Sequence, residues 1–192
     1  MNAISRFFLR AKHWQIFLLL FVFSFVAELL LMGPALSAQG SPQRELWKFW
    51  LSTVVMIVPF MFAFLAWFWS MGSFLNSIAP PRLRMNTAFF QFAVVYPGLY
   101  VFLALPLFAA SNPNVIVVIL PFHLFAMFCM FYNLRFVAKS LVSVETAKPA
   151  SFYDYAGPFF LLWFFPIGVW VTQPRINQLY AKAEGLTVAS VG

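Results

Sequence analysis

The sequence contains few charged residues. Asp, Glu, Lys and Arg together make up 9% of the 192 residues, whereas about a quarter of the residues in a typical soluble domain are charged. Hydrophobic residues account for 63% of the chain, so the charged side chains are too few to cover the surface of a water-soluble globule. The composition therefore excludes an ordinary soluble domain and indicates that lipid covers much of the surface.

Cysteine is almost absent as well. The single residue, Cys129, cannot form an intramolecular disulfide, and it lies in an apolar run where a thiolate is disfavoured. The sequence also has no Gly-rich phosphate loop and no HExxH or CxxC motif. We therefore expect no metal centre and no cofactor, and we identify no catalytic residue.

Acidic residues are the scarcest charged class: 5 Asp and Glu stand against 12 Lys and Arg, for a net charge of +7. In a soluble protein this excess would suggest nucleic-acid binding. Here the basic residues flank apolar runs and follow the rule that positive charges stay on the cytoplasmic side of a membrane. We therefore expect the lipid bilayer, and no nucleic acid, as the partner of the chain.

Long apolar runs are the main positive feature. They cover residues 14–32, 49–74, 87–110 and 115–137. Each is long enough to cross a hydrocarbon core of about 30 Å at about 1.5 Å per helical residue. The sequence therefore predicts an all-α fold: a polytopic transmembrane helical bundle of about four spans, forming a single integral membrane domain over residues 1–192.

The start of the chain also permits a secretory signal. A basic N-terminus, an apolar run and the small residues at 35–38 resemble a signal peptide with its cleavage site. The apolar run at 14–32 is longer than the usual signal core and contains Glu28. We therefore favour a first span, while cleavage within residues 1–38 remains the alternative.

A fifth apolar segment, residues 156–171, is short for a span and contains Pro158 and Pro166. These features favour a re-entrant or interfacial segment followed by a polar C-terminal tail at 172–192; within that tail, Pro174 opens a short polar helix. A fifth crossing is the alternative. With four spans, most basic residues fall on one side of the membrane, which predicts that the N-terminus and the C-terminus are both cytoplasmic.

Two titratable residues lie at similar predicted depths inside the spans. Glu28 is near the outer end of the first span and His123 is in the outer part of the fourth. A buried carboxylate is costly and usually has a partner or a pathway, so this pair could pass protons or bind a cation. In the alternative interpretation, Glu28 reaches Arg44 or Lys48 at the membrane surface and His123 is a hydrogen-bonded bundle residue.

Basic residues also cluster on the predicted inner face. They are candidates for contacts with anionic lipid headgroups or with a cytoplasmic partner: Arg82, Arg84, Lys139, Lys148 and Arg175. Nearby, Asn133 and Arg135 could anchor the C-terminal segment through Asp154, which would be a structural contact.

Three stretches carry a resemblance: the run from Phe159 to Asn177, FFLLWFFPIGVWVTQPRIN, the opening Ala11–Phe17 and the segment Pro121–Tyr132. They resemble segments of small uncharacterised bacterial integral membrane proteins. The resemblance covers most of the chain and implies a bacterial cytoplasmic membrane location. It implies no activity, cofactor or catalytic residue.

The leading functional hypothesis is a non-enzymatic membrane protein that acts by interaction, as an accessory or effector protein. Its partner would be a second copy of the chain or another membrane or cytoplasmic protein. The alternative is an oligomeric ion or proton channel or transporter that uses Glu28 and His123. A membrane-embedded enzyme acting on lipid or quinone is a third hypothesis, but no set of residues supports it.

Overall fold

The computed structural model describes residues 2–23, 25–26, 29–30, 42–109 and 113–185. This part of the chain is all-helical. Two short helices lead it: α1 (Ala3–Arg10) and α2 (His13–Phe17), which continues as a π-helical turn at Leu18–Val22. The long helices are α3 (Pro42–Ile78), α4 (Thr87–Ala109) and α5 (Pro113–Thr146), with a 3-10 turn at Pro81–Leu83. Two further helices follow, α6 (Phe152–Trp163) and α7 (Phe165–Ala183).

Three of the described helices are long and apolar enough to cross a membrane. The qualifying segments are Thr53–Ile78 in α3, Thr87–Ala104 in α4 and Val115–Thr146 in α5. The predicted first span, residues 14–32, lies partly outside the described residues. Its described apolar part, His13–Val22, is shorter than a span. The all-α prediction is thus confirmed for the described residues, and three of the predicted spans correspond to helices long and apolar enough to cross a membrane.

Successive long helices run in opposite directions, so the bundle has two different ends. At one end α3 stops, α4 starts and α5 stops, joined by residues 79–86 and followed by 147–151. We call this the basic end, because Arg82, Arg84 and Lys148 lie there. We call the opposite end, where α4 passes into α5, the apolar end.

Close packing of α3, α4 and α5 near the basic end depends on a glycine. The rings of Phe90 and Phe136 stack with centroids 4.1 Å apart. A Cβ on Gly72 would lie 2.3 Å from the Phe90 ring. Hydrogen at this position therefore lets α3 approach the aromatic pair, and both rings are fully buried.

α6 and α7 form a helical hairpin that both enters and leaves at the basic end. α6 starts just beyond α5 and runs along it until Trp163 meets Phe131, with ring centroids 4.6 Å apart. The chain bends at Phe164, and α7 begins with Phe165 beside Phe64 of α3, at 5.2 Å. α7 then returns along α3, with Tyr180 5.4 Å from Phe74.

Several prolines lie inside helices without interrupting them. α4 is continuous through Pro97, and α7 is continuous through Pro174. Pro166 lies in the first turn of α7, where the N–H that proline lacks would make no helical hydrogen bond. The proline therefore fits there, and the break between α6 and α7 falls just before it, at Phe164. The prediction that Pro174 opens a separate polar helix is therefore wrong, because residues 165–183 are one helix.

Candidate functional site at the basic end

The predicted basic cluster lies at one end of the bundle, but its arginines bind the protein itself. Arg84 donates from Nε to the carbonyl of Ala79 at 3.1 Å and from Nη2 to that of Ser77 at 2.9 Å. These carbonyls lie at the end of α3, where helical donors are missing. Arg82 donates to the carbonyl of Ala147 at 3.3 Å. Both arginines thus stabilise the loops at the basic end by hydrogen bonds to backbone carbonyls.

Arg175 is also engaged in an internal contact. Its guanidinium binds the carboxylate of Glu145 through Nε and Nη2, with the Nε to Oε1 distance at 2.8 Å. The two side chains are 30% and 27% exposed. A bidentate salt bridge of this kind joins the end of α5 to α7 and fixes their relative orientation.

Lys139 and Lys148 differ from the three arginines. Within the described part of the chain, neither lysine has an acidic side chain within salt-bridge distance. Lys148 is exposed and Lys139 is half-buried. Of the five predicted contact residues, these two keep their ammonium groups available to a lipid headgroup or a partner.

Two buried amides on α7 hold the N-terminal helix. The side chain of Gln173 donates to the carbonyls of Phe8 at 2.8 Å and Ala11 at 2.9 Å. Asn177, one turn later, donates to the carbonyl of Leu9 at 2.7 Å and to that of Ala11 at 3.2 Å. Carbonyls at the end of a helix lack helical donors, so these amides complete the C-terminus of α1.

Trp67 of α3 closes the same network. Its indole Nε1 donates to Oε1 of Gln173 at 2.9 Å, so the Gln173 amide uses both its oxygen and its nitrogen. Trp67 and Gln173 are fully buried. One side chain therefore joins α1, α3 and α7, and a buried amide with all its groups paired stabilises a single arrangement of these helices.

Asn133 also joins two long helices, although its side-chain oxygen, unlike that of Gln173, has no hydrogen-bond partner among the described residues. Its amide donates to the carbonyl of Ala93 in α4 at 2.8 Å. Pro97, four residues after Ala93, has no N–H and cannot bond that carbonyl. Asn133 supplies the missing donor from α5, which explains a buried polar side chain among apolar ones.

Asp154 has a local partner in place of the Arg135 contact that the sequence suggested. Its carboxylate accepts from the hydroxyl and from the backbone N–H of Ser151, each at 2.7 Å. This arrangement is a capping box at the N-terminus of α6. Both hydrogen bonds lower the pKa of Asp154 from its ordinary value, and the bond from the Ser151 side chain has the larger effect.

The predicted Glu28–His123 pair is described at His123 alone, because Glu28 lies outside the described residues. The Nδ1 atom of His123 is 3.0 Å from the hydroxyl of Tyr100. Tyr100 is on α4 and His123 on α5, both toward the apolar end. This hydrogen bond gives His123 the bundle partner expected in the structural interpretation and leaves the pair with Glu28 a prediction.

No cluster of three or more His, Cys, Asp and Glu side chains suited to a metal ion occurs among the residues that the structure describes. The roles of Gln173 and Asn177, which lie in the predicted tail, were not recognised from the sequence. Their spacing of four residues, which puts two amides on one helix face, was the available signal.

In comparisons with known proteins, no protein family, curated protein sequence or solved structure matches this chain.

Proposed function

We propose that this chain is a non-enzymatic membrane protein that acts through interaction, as a scaffold, accessory subunit or effector. In this proposal the first apolar run completes a bundle of four spans, and the α6–α7 hairpin is a re-entrant segment. The basic end faces the cytoplasm, as the distribution of positive charge favours. The resemblance noted above suggests a bacterial cytoplasmic membrane.

The observation that carries the proposal is the use of polar side chains at the basic end. The amides of Gln173 and Asn177 are committed to backbone carbonyls, so they hold helices together. Lys139 and Lys148 remain without an ion pair among the described residues. The basic end thus presents a rigid helical assembly with available positive charge, which suits docking of an acidic partner.

Site-specific photo-crosslinking in intact membranes tests the proposal. A photoreactive amino acid is placed at Lys148 or at Tyr153, which is 91% exposed. The matched control places it at Val117, 74% exposed at the apolar end. We expect discrete protein adducts from the two basic-end positions and only lipid adducts from Val117. An adduct of twice the chain's mass would identify a second copy as the partner.

Charge reversal at the available lysines sharpens this test. Lys139→Glu combined with Lys148→Glu should abolish the adduct formed at Tyr153 without lowering the amount of folded protein. Two results would contradict the proposal: no protein adduct at either basic-end position, or adducts of equal yield at Val117.

A proton or cation pathway is the second candidate, and the hydrogen bond between Tyr100 and His123 favours it. This bond places a titratable ring in a polar pair within the candidate spans. Flux into proteoliposomes should then be lost in both Glu28→Gln and His123→Ala. Absence of flux in the wild-type protein, or flux unchanged by both substitutions, would remove this candidate.

A further inference from the structure

Two adjoining depressions beside α1 combine positive charge with an apolar groove. The first, of about 430 Å³, is bordered by Arg6, Arg10 and Gln15. The second, of about 470 Å³, is an apolar groove bounded by α1, by α3 and by the π-helical turn that follows α2. Ala3 and Phe7 border both depressions, so the two meet along these side chains; we call the first depression the charged mouth and the second the groove.

The two arginines face outward from one side of α1. They are four residues apart, which places them one above the other on a helix. Arg10 lies 5.7 Å from the ring centroid of Tyr180 and 3.6 Å from the carboxylate of Glu184, and its side chain is 58% exposed. Arg6 is exposed and, within the described part of the chain, has no acidic side chain at salt-bridge distance.

The apolar groove has the size and the lining expected for a hydrocarbon chain. Its walls include Ile4, Phe7, Leu19, Phe23, Pro59 and Phe62. Ligand pockets in proteins measure about 300–1,000 Å³ and are mostly apolar with a few placed polar groups. Ile4 and Phe7 are each about half exposed, at 50% and 53%, so the groove is open on its outer side.

The direction from charge to groove matches a lipid of the leaflet at the basic end. Tyr180 contacts both Arg10 and Phe74, which places the charged mouth near the end of α3. The groove borders Pro59 and Phe62, which lie about three to four turns from Phe74 toward the apolar end along α3. A phospholipid has this order, because its phosphate lies at the membrane surface and its chains point inward.

We propose that this site binds one anionic phospholipid, with its phosphate between Arg6 and Arg10 and an acyl chain in the groove. Basic pockets on the cytoplasmic side of membrane proteins recognise such headgroups. The Arg10–Glu184 pair is long and solvent-exposed, so a phosphate can displace the carboxylate. The site is separate from Lys139 and Lys148, the residues of the proposed docking surface.

Native mass spectrometry of the detergent-purified full chain measures this binding directly. Phosphatidylglycerol should bind at least about tenfold more tightly than phosphatidylcholine with the same acyl chains, since each arginine near an anionic headgroup strengthens binding. Arg6→Gln combined with Arg10→Gln should bring the affinity for phosphatidylglycerol down to that for phosphatidylcholine. Lys139→Gln combined with Lys148→Gln, which removes the same charge from the same end, should change it less than about twofold.

Two further variants separate the headgroup from the chain. Ala3→Trp should fill the junction between mouth and groove and abolish phosphatidylglycerol binding although both arginines remain. Glu184→Gln should raise the affinity, a result that a purely structural role of Arg10 would not produce. Thermal unfolding of each variant checks that the fold is retained; Arg6 and Arg10 are exposed, so we expect no shift in Tm from their substitution.

Four results would overturn the proposal. They are equal affinity for the two lipids, unchanged binding in the double arginine variant, an equal loss in the double lysine variant, and unchanged binding in Ala3→Trp. Glycerol 3-phosphate, which carries the phosphate without chains, should fail to compete with the lipid. Effective competition would show a site for a free phosphate alone and would remove the groove from the account.

Discussion

At the apolar end, large side chains of α4 and α5 lie on the outside of the bundle: Phe102 is 66% exposed and Val117 is 74% exposed. At the basic end, Trp67, Phe90 and Phe136 are 1% exposed or less. Both ends consist of apolar helices, but among the described residues only the second is covered by further helices, α1, α6 and α7. Within this part of the chain, the first end exposes an apolar surface that suits lipid, and the second has a core that the protein covers itself.

Polar side chains follow the same division. In lipid, helices gain little from burying apolar surface against one another, so close approach and hydrogen bonds decide their association. At the basic end, Gln173 and Asn177 bond the carbonyls of α1, and Gly168 lets the two arms of the α6–α7 hairpin meet. These contacts hold α1, α6 and α7 against the long helices, although none of these three qualifies as a span by length and composition.

The largest expected effect comes from adding one methyl group at the hairpin. A Cβ on Gly168 would lie 1.6 Å from the carbonyl oxygen of Leu161, which is backbone and cannot rotate away. Gly168→Ala should therefore cost more than the ~1–3 kcal/mol typical of overpacking and separate α6 from α7. Gly157→Ala is the matched control, because nothing lies within 4 Å of its Cβ position. Equal thermal stability of the two variants in detergent would contradict the described hairpin.

Truncating one phenylalanine at each end tests the comparison itself. Phe90 is fully buried and stacked on Phe136, so Phe90→Ala should lower the free energy of unfolding by about 3–5 kcal/mol. Phe102→Ala, at a ring that is 66% exposed, should cost less than about 1 kcal/mol. Unfolding measured in one lipid or detergent compares the two variants. Costs of similar size would mean that both ends have packed cores.

Removing the central amide should cost somewhat less. Gln173→Leu keeps a similar volume but leaves the Trp67 indole N–H and the Phe8 carbonyl without their partners, and unpaired buried groups cost about 1–3 kcal/mol each. Gln91→Leu, at an exposed position of α4, makes the same chemical change on the surface. We expect a clear fall in Tm for Gln173→Leu alone. An unchanged Tm would show that the network contributes nothing to stability.

The smallest expected effect depends on pH at the start of α6. The pKa of Asp154 is lowered by its bonds with Ser151, so its contribution to stability is present above the unfolded pKa of about 3.9 and is lost as pH falls through the lower folded value. Asp154→Asn should therefore lower Tm slightly at pH 6 and have no effect once the carboxylate is protonated. A difference between the two proteins that did not shrink with acid would contradict this role.

The sequence predicted the long helices but not how the short ones attach. Apolar runs and their lengths indicated α3, α4 and α5, because the bilayer sets the length that a span needs. The sequence indicated a break near Pro166, but the continuity of α6 through Pro158 and of α7 through Pro174 was missed, because a proline's effect depends on its position in the helix and on tertiary support.

The site was predictable to a similar degree. Net positive charge located the basic end, but charge alone could not show that Arg84 and Arg175 bind carbonyls and Glu145. The roles of Gln173 and Asn133 depend on carbonyls of distant helices, such as that of Ala93 opposite Pro97. The spacing of Gln173 and Asn177 indicates a shared helix face, but no local pattern in the sequence shows which distant carbonyls such amides bind.

Cysteine labelling in oriented vesicles tests the central claim, that the last hydrophobic segment enters and leaves at the basic end. In a Cys129→Ala background, single cysteines are placed at Asn86, between α3 and α4, at Ser111, between α4 and α5, and at Lys182 near the end of α7. We expect a membrane-impermeant maleimide to label Lys182→Cys from the same side as Asn86→Cys and from the side opposite to Ser111→Cys. Labelling of Lys182→Cys from the side of Ser111→Cys would show that the segment crosses the membrane and would contradict the account.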